Sequence, residues 1–428
     1  MKNRAGISRC VVWLALCGVL GLQEKTSAQT TSKGASTKGA TSDTKEGGGQ
    51  PMDYKSIHFL LHTDLSPAEA KELLTRLETM LGLISKYWGK PPQGIIEVYV
   101  AKDLRNWPAD AMDPSGYAKI AEGAGVTLTQ TITQGNRFQA KATVYAVPDR
   151  GTPQHEVVHA YCGQNFGTTG PTWYSEGMAE MGQYWHEGDR SVNIHDVVLR
   201  YLKESSPKGL LEIVDTTSRT GDSWQNYAWR WALCHLLANN PNYMDRFHPL
   251  GMGLLTKRDV SFEQTYGAVA KEISFEYLFF LQHLEQGYRV DLCSWDWKRK
   301  FIAPTGATVQ TANIEANKGW QPSSLKVSKG QEYEYAARGT FQLGPDPVKL
   351  TAAGDEKGQG KLVGIIYNDF TLSKPFDLGD FGTFSAPADG NLFLRCQDAW
   401  GSLSDNKGRL TVQLKNKGAG SPLKAPPK

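Results

Sequence analysis

Two histidines and a glutamate with obvious chemical potential lie together in the run His155-Glu156-Val157-Val158-His159. On an α-helix, side chains four residues apart project from the same face, so both imidazoles can reach a single cation. Zinc suits such a pair because it accepts nitrogen and oxygen ligands and leaves a fourth position for water. The spacing therefore predicts a zinc centre in which Glu156 acts as general base and passes a proton from water to a leaving amine.

A third ligand is expected from a second helix nearby. The segment 171–180, with the sequence PTWYSEGMAE, places Glu176 far enough after His159 for a loop and a returning helix. Glu180 follows one helical turn later and can accept a hydrogen bond from a ligand imidazole, which would fix the orientation of that ring. The alternative is a solvated acidic helix face, on which the two carboxylates would repel each other mildly.

A hydrogen-bond donor is usually required to stabilise the oxyanion that develops during hydrolysis. Tyr174, Tyr227 and His235 are the candidates, the last two in a segment with a helical pattern. Each of the three is also explained by ordinary core packing. Tyr227 is our prediction for the second catalytic residue.

The elements that must position these residues begin near residue 54. Ser66 precedes a proline and an apolar pattern of helical spacing, which predicts a capped helix over 67–87. Alternating patterns predict strands over 56–62 and 95–100, and a β-hairpin with strands 126–133 and 138–147 around Gly135-Asn136. From residue 151 to about 301 the pattern is mainly helical, with later helices predicted over 227–238 and 273–286.

Near Pro304 the pattern changes to short β-rich runs between turn residues. These predicted strands are 324–327, 333–337, 362–367, 392–396 and 409–414. We therefore predict an α+β chain: a first domain with a small sheet and helices over 53–302, and an all-β sandwich over 303–416.

The two ends of the chain have a different character. Residues 1–28 combine the positive Lys2 and Arg4, an apolar stretch over 10–22 and small residues at 26–28, as in a cleaved export signal. The apolar stretch is too short to cross a bilayer of about 30 Å, which disfavours an uncleaved anchor. We expect a secreted, periplasmic or cell-surface protein whose mature chain has no transmembrane segment. Segments 29–52 and 417–428, rich in small and polar residues, are predicted to be a flexible linker and a disordered tail.

Composition limits the classes of partner. Of the 47 basic and 44 acidic residues, four and one respectively lie in residues 1–28, so the remaining chain carries no net charge. No basic excess is left to attract nucleic acid or an anionic membrane surface. Apolar residues make up 40% of the chain, enough for folded cores.

Four cysteines follow the predicted signal: Cys162, Cys234, Cys293 and Cys396. The sequence is compatible both with two disulfides and with four buried free thiols.

Taken together, the HExxH run and the P-x-W-x-x-E-G-x-A-E segment over 171–180 resemble the gluzincin peptidases, specifically the peptidase-MA-like family. The resemblance covers residues 54–300 and implies that the 53–302 domain is a zincin-like metallopeptidase domain. It implies zinc held by His155, His159 and Glu176, with Glu156 as general base and a peptide or protein as substrate.

The stretch 360–414 resembles the PA-I galactophilic lectin family, through LVGII at 362–366, FGTF at 381–384, DGNLFLR at 389–395, Gln397-Asp398 and SDNKG at 404–408. The resemblance implies a calcium ion held by Asp398, Asp405 and Asn406, with backbone carbonyls from Ser402 and Leu343. Oxygen donors suit calcium, but Asp, Asn and Gly also dominate plain turns. The 351–361 loop lacks a histidine at the place where these lectins contact sugar, so a structural or docking role is expected first, with a glycan as a second kind of partner.

Two readings of another class compete with the peptidase. In one, the first domain is a catalytically retired metallopeptidase and the chain acts as a glycan- or protein-binding surface module. In the other, the chain is purely carbohydrate-binding. Neither explains why the helical domain keeps His155, His159 and Glu176 together with Glu156, since a retired site has no need of the general base.

Overall fold

The computed structural model describes residues 49–134, 137–216, 223–345 and 347–425. The predicted export signal, nearly all of the predicted linker, the Gly135-Asn136 turn and the last three residues lie outside these ranges. The chain divides into two compact units. The first comprises the described residues up to Trp185 with Thr216–Trp231 and Leu255–Arg258, and the second comprises His186–Asp215, Ala232–Leu254 and the chain from Asp259 onward.

The first unit contains a five-stranded mixed sheet. Its strands are β1 (Met52–Lys55), β2 (Phe59–Thr63), β3 (Ile96–Val100), β4 (Val126–Gln134) and β5 (Arg137–Ala146). The order across the sheet is β1-β2-β3-β5-β4, with β2, β3 and β5 parallel and both outer strands antiparallel to their neighbours. The predicted hairpin is confirmed as β4 and β5, and β4 forms one edge of the sheet.

Four helices of the first unit follow from local sequence signals. They are α1 (Pro67–Trp88), α2 (Pro114–Ala121), α3 (Gly151–Phe166) and α4 (Thr172–Gln183). Ser66 caps α1 and forms a capping box with Glu69, which satisfies backbone N–H groups at the helix start. Leu73, Leu77 and Leu81 are buried, as their helical spacing predicts.

The helices of the second unit, with the one that the two units share, are mostly short. They are α5 (Asp196–Glu204), α6 (Leu210–Ile213), α7 (Trp224–Asn239, shared), α8 (Met244–Leu255), α9 (Phe262–Tyr266), α10 (Ala270–Gln282) and α11 (Val290–Cys293). The longer predicted helices over 227–238 and 273–286 correspond to α7 and α10.

The second unit also contains two antiparallel sheets. Their strands are β6 (Gln310–Glu315), β7 (Gln321–Val327), β8 (Glu332–Arg338), β9 (Phe341–Gln342), β10 (Leu362–Asn368), β11 (Thr371–Leu372), β12 (Phe376–Asp377), β13 (Phe381–Ser385), β14 (Gly390–Cys396) and β15 (Lys407–Asn416). One sheet has the order β11-β10-β14-β7 with β12 beside β10, and the other has β13-β8-β15-β6 with β9 beside β15.

A common core shows that these sheets form a β-sandwich. Leu325, Leu362 and Leu394 of the first sheet belong to one buried cluster with Ile314 and Val412 of the second. Each of the five β-rich runs predicted from the sequence lies within a strand of the sandwich. The outer face of the first sheet shares a second apolar cluster with Phe279 of α10, so this unit includes residues on both sides of position 302.

Two further observations concern cysteines and membranes. Among the described residues, no disulfide joins Cys162, Cys234, Cys293 and Cys396, all of which are buried, as expected for structural thiols. No helix in the described ranges has both the length and the apolar character needed to cross a bilayer.

Candidate metal centre

Helix α3 carries the first half of the centre and is buried along almost its whole length. It begins after Asp149, whose carboxylate accepts hydrogen bonds from the backbone N–H groups of Gly151 and Thr152 and from the Thr152 hydroxyl. These contacts satisfy backbone N–H groups at the start of the helix that have no carbonyl partner within the helix. Because the helix is buried on all sides, any charge on it needs a partner.

Helix α4 packs closely against α3 because glycines stand where the two helices approach. A Cβ atom on Gly182 would lie 2.6 Å from a methyl group of Val158, and one on Gly151 would lie 2.7 Å from the Gln183 side chain. The side-chain amide of Gln154 also donates a hydrogen bond of 2.7 Å to the carbonyl of Gly182. This packing sets the distance between the histidines of α3 and the acids of α4.

Three ligand atoms converge between these helices. The Nε2 atoms of His155 and His159 lie 3.2 Å apart, and Oε2 of Glu176 lies 3.5 Å from the first and 3.6 Å from the second. Among the described residues this is the group of histidines, cysteines and acids close enough to share one metal ion. All three predicted ligands are therefore brought together.

The triangle fits a tetrahedral zinc ion. With zinc-to-ligand distances of about 2.0–2.1 Å and tetrahedral angles, adjacent ligand atoms should be about 3.3 Å apart. The Glu176 side chain is fully buried, and within the described chain neither of its oxygens accepts a hydrogen bond. A buried carboxylate without a donor is strongly unfavourable unless a cation compensates it. The residues present thus match what zinc requires.

The imidazoles of His155 and His159 each have an oxygen near Nδ1, the ring nitrogen that points away from the triangle. Oε1 of Glu180 lies 3.3 Å from Nδ1 of His155, and the hydroxyl of Ser175 lies 3.4 Å from Nδ1 of His159. Outer partners of this kind direct Nε2 towards the metal and fix the ring plane. The position of Glu180 is the one predicted from its spacing, and Ser175 is an addition from the structure.

Glu156 is held from the edge strand β4. The hydroxyl of Thr127 lies 2.8 Å from Oε2 of Glu156 and 2.9 Å from its backbone carbonyl oxygen. Gly125, just before β4, leaves room for the same side chain, because a Cβ atom there would lie 2.9 Å from Oε1. The Glu156 side chain is therefore confined between α3 and the start of β4.

The pKa shifts agree with a centre that favours positive charge. Burial lowers the pKa of His155, but the carboxylates of Glu176 and Glu180 outweigh this effect and raise it well above its ordinary value. Burial raises the pKa of Glu176, but the His159 and His155 imidazoles hold it below its usual range. For Glu156 burial dominates and raises the pKa, with His155 and His159 opposing it.

The three candidate oxyanion donors have different surroundings. Tyr227 belongs to the first unit, and its ring centroid lies 6.2 Å from that of His155. The hydroxyl of Tyr174 accepts a hydrogen bond of 3.1 Å from the indole of Trp88. His235 belongs to the second unit, where it stacks on Phe280 and burial lowers its pKa to about 4. Tyr227 thus lies beside His155, one of the predicted metal ligands.

Two of the predicted calcium residues, Asp398 and Asn406, are hydrogen-bonded to each other in the second unit. Asn406 donates to a carboxylate oxygen of Asp398 at 2.8 Å and accepts from the Gly344 N–H at 2.8 Å. The other Asp398 oxygen accepts from the Ala399 N–H at 2.8 Å. Leu343 precedes Gly344, and Ser402 and Asp405 lie in the 3₁₀ turn Trp400–Asp405. Protein donors thus reach the side-chain oxygens of Asp398 and Asn406, and calcium stays a prediction.

Comparison with known proteins does not assign this chain to a family. No family model matches the sequence, and no curated protein matches it significantly. Among solved structures, the chain is similar to one described as "EclA N-terminal domain; PllA-like lectin". The two are 18% identical, and the similarity covers 25% of this chain and 96% of that chain, with a TM-score of 0.22. A TM-score this low carries no argument about fold or ligand, so the interpretation of the metal centre rests on its own geometry.

Proposed function

We propose that this chain is an exported zinc-dependent metallopeptidase with Glu156 as its general base. The observation that carries the proposal is the triangle formed by His155 Nε2, His159 Nε2 and Glu176 Oε2, whose edges suit tetrahedral zinc. The resemblance of the two motifs to gluzincin peptidases supports peptide bonds as the substrate, because zinc chemistry alone would allow other acyl hydrolyses.

The residues around the centre have distinct tasks in this proposal. Zinc bound there would polarise the scissile carbonyl. It would also lower the pKa of a water molecule, so that this water loses a proton more readily and can attack the carbonyl carbon. Glu156 accepts the proton of the attacking water and delivers it to the leaving nitrogen. Thr127 holds the Glu156 carboxylate in place through its hydroxyl. Tyr227 is the proposed donor to the developing oxyanion.

A catalytically retired chain is the competing proposal. Loss of catalysis removes selection on the general base but not on a ligand set that stabilises the fold. Glu156 is present, and Thr127 confines it in a position adjoining both histidines. This arrangement favours a working enzyme.

The β-sandwich is proposed as a targeting or binding module for the peptidase. Its sheets share a closed apolar core of their own and contain none of the zinc ligands. A glycan or a protein surface is the expected kind of partner.

The test is a peptide-library digestion by zinc-replete protein, with Glu156→Gln and the control Glu122→Gln, at an exposed position of the first unit. We expect wild type and the control to cleave peptides equally. Glu156→Gln should bind zinc and lose about 10²–10⁴-fold in rate. No cleavage by wild-type protein that contains zinc, or equal cleavage by Glu156→Gln, would refute the proposal.

A further inference from the structure

The second unit contains a cavity of about 570 Å³ beside the outer face of the sandwich. Its wall is formed by Val363 and Ile365 of β10, Arg395 of β14 and Phe279 of α10. Exposed Gln282 and Gln397, with Asp377 of β12, also line it. Sites for small molecules typically have this size and this mixture of apolar walls and few polar groups.

Arg395 is the unusual member of this lining. Only 4% of the residue is exposed, yet no carboxylate among the described residues forms an ion pair with it. Its guanidinium donates to the backbone carbonyls of Cys396 and Asp398 and lies 3.7 Å from the ring centroid of Trp400. These contacts hold the guanidinium plane rigidly, but within the described chain no carboxylate oxygen lies at ion-pair distance from it, which is unfavourable at such burial.

The acidic groups near the cavity are already engaged. Asp377 pairs with Lys361 at 2.8 Å, and both oxygens of Asp398 accept hydrogen bonds from Ala399 and Asn406. His283, which also lines the cavity, stays neutral at physiological pH. Burial lowers its pKa to about 4, and the positive charges of Arg395 and Lys203 act in the same direction. Asp398 keeps its negative charge and attracts Arg395 only at longer range, so the cavity presents a buried guanidinium that no carboxylate contacts directly.

We propose that this cavity binds a small organic carboxylate, with Arg395 as its counter-ion. A planar guanidinium matches a carboxylate in geometry, and the rigid stacking on Trp400 reduces the entropy lost on binding. The side-chain amides of Gln282 and Gln397 are placed to bond neighbouring hydroxyl or amide groups of the ligand. Two sources offer this chemistry at a suitable size: a hexuronate from an acidic glycan, and the C-terminus of a short peptide.

The test is titration calorimetry on the full mature chain after treatment with EDTA, which separates the result from the zinc proposal. The probes are glucuronate and its neutral amide, and N-acetyl-dipeptide acids and their amides. We expect saturable binding of an acid and at least about tenfold weaker binding of the matching amide, because the amide loses the charge-assisted pair. The acid that binds more tightly identifies the source.

Two variants at exposed positions should change the binding affinity in opposite directions without disturbing the core. Asp377→Asn removes a negative charge at the cavity and releases Lys361, so binding should tighten about two- to threefold at low ionic strength. Gln397→Glu adds a negative charge of nearly the same shape and should weaken binding by a similar factor. Arg395→Lys, which keeps the charge but loses the fork, should weaken it about tenfold.

Three results would overturn the proposal: no saturable heat with either acid, equal binding of acids and amides, or unchanged affinity in both exposed variants. The last two would show that any binding does not depend on the carboxylate or does not occur in this cavity.

Discussion

The hydroxyl of Thr127 lies 2.8 Å from a carboxylate oxygen of Glu156, and so connects the edge strand of the sheet to the proposed general base. Glu156 lies on α3, and its backbone carbonyl oxygen is 2.9 Å from the same hydroxyl. One side chain on β4 thus contacts both ends of the Glu156 residue. The position of the base depends on the sheet as well as on the helix that carries the histidines.

Replacing Thr127 by valine keeps the shape of the side chain and removes the hydroxyl. We expect kcat for peptide hydrolysis to fall about tenfold or more, because a hydrogen bond to a charged group is worth about 1.5–3 kcal/mol. Zinc content should be unchanged. Thr127→Ser, which keeps the hydroxyl, should restore most of the activity. Equal loss in the serine and valine variants would indicate a packing defect instead.

Oε1 of Glu180 lies 3.3 Å from Nδ1 of His155, a proposed zinc ligand, so removing it should weaken metal binding. For Glu180→Ala we expect zinc to bind about 10–100-fold more weakly, measured by competition with a chromophoric chelator. The zinc affinity of Glu180→Gln should lie between those of Glu180→Ala and wild type, because glutamine keeps an oxygen near His155. Wild-type affinity in Glu180→Ala, with an unchanged circular dichroism spectrum, would exclude this role.

Glu276 stabilises the second unit through a buried carboxylate surrounded by donors. It accepts hydrogen bonds from the Tyr243 hydroxyl at 2.7 Å, the Trp297 indole at 2.6 Å and the Asn240 amide at 2.5 Å. Glu276→Ala leaves these donors unsatisfied, and we expect it to lower the free energy of unfolding by about 3–5 kcal/mol. Glu272→Ala, one turn earlier on the same helix, should change it by less than about 1 kcal/mol. Chemical denaturation monitored by fluorescence gives both values, and similar losses in the two variants would contradict this role.

The grouping of the candidate metal ligands could be anticipated from the sequence because their positions follow local rules. The spacing of His155 and His159 defines one helix face, and the run from Pro171 to Glu180 predicts a returning helix. Both helices are confirmed as α3 and α4. The sandwich strands were also predictable, since apolar alternation between turn residues is visible in the sequence.

Other features depend on contacts between distant residues and left no local signal. Thr127 reaches Glu156 across 29 positions, and nothing in its neighbours marks it out from other threonines of an edge strand. Ser175 sits beside the predicted Glu176 but acquires its role only through the rotation of α4 that brings it near His159. Likewise, the sequence pattern changes near Pro304, whereas the apolar cluster containing Phe279 and Phe393 extends across that point.

The most direct test of the zinc centre is the metal content of the purified protein, measured by elemental analysis for wild type and Glu176→Ala. Glu187→Ala, at an exposed acid outside the centre, is the control. We predict one zinc ion per chain in wild type and control, and lost or much weaker binding in Glu176→Ala. The absence of zinc from all three proteins after preparation with ample zinc, or full retention in Glu176→Ala, would contradict the proposed centre.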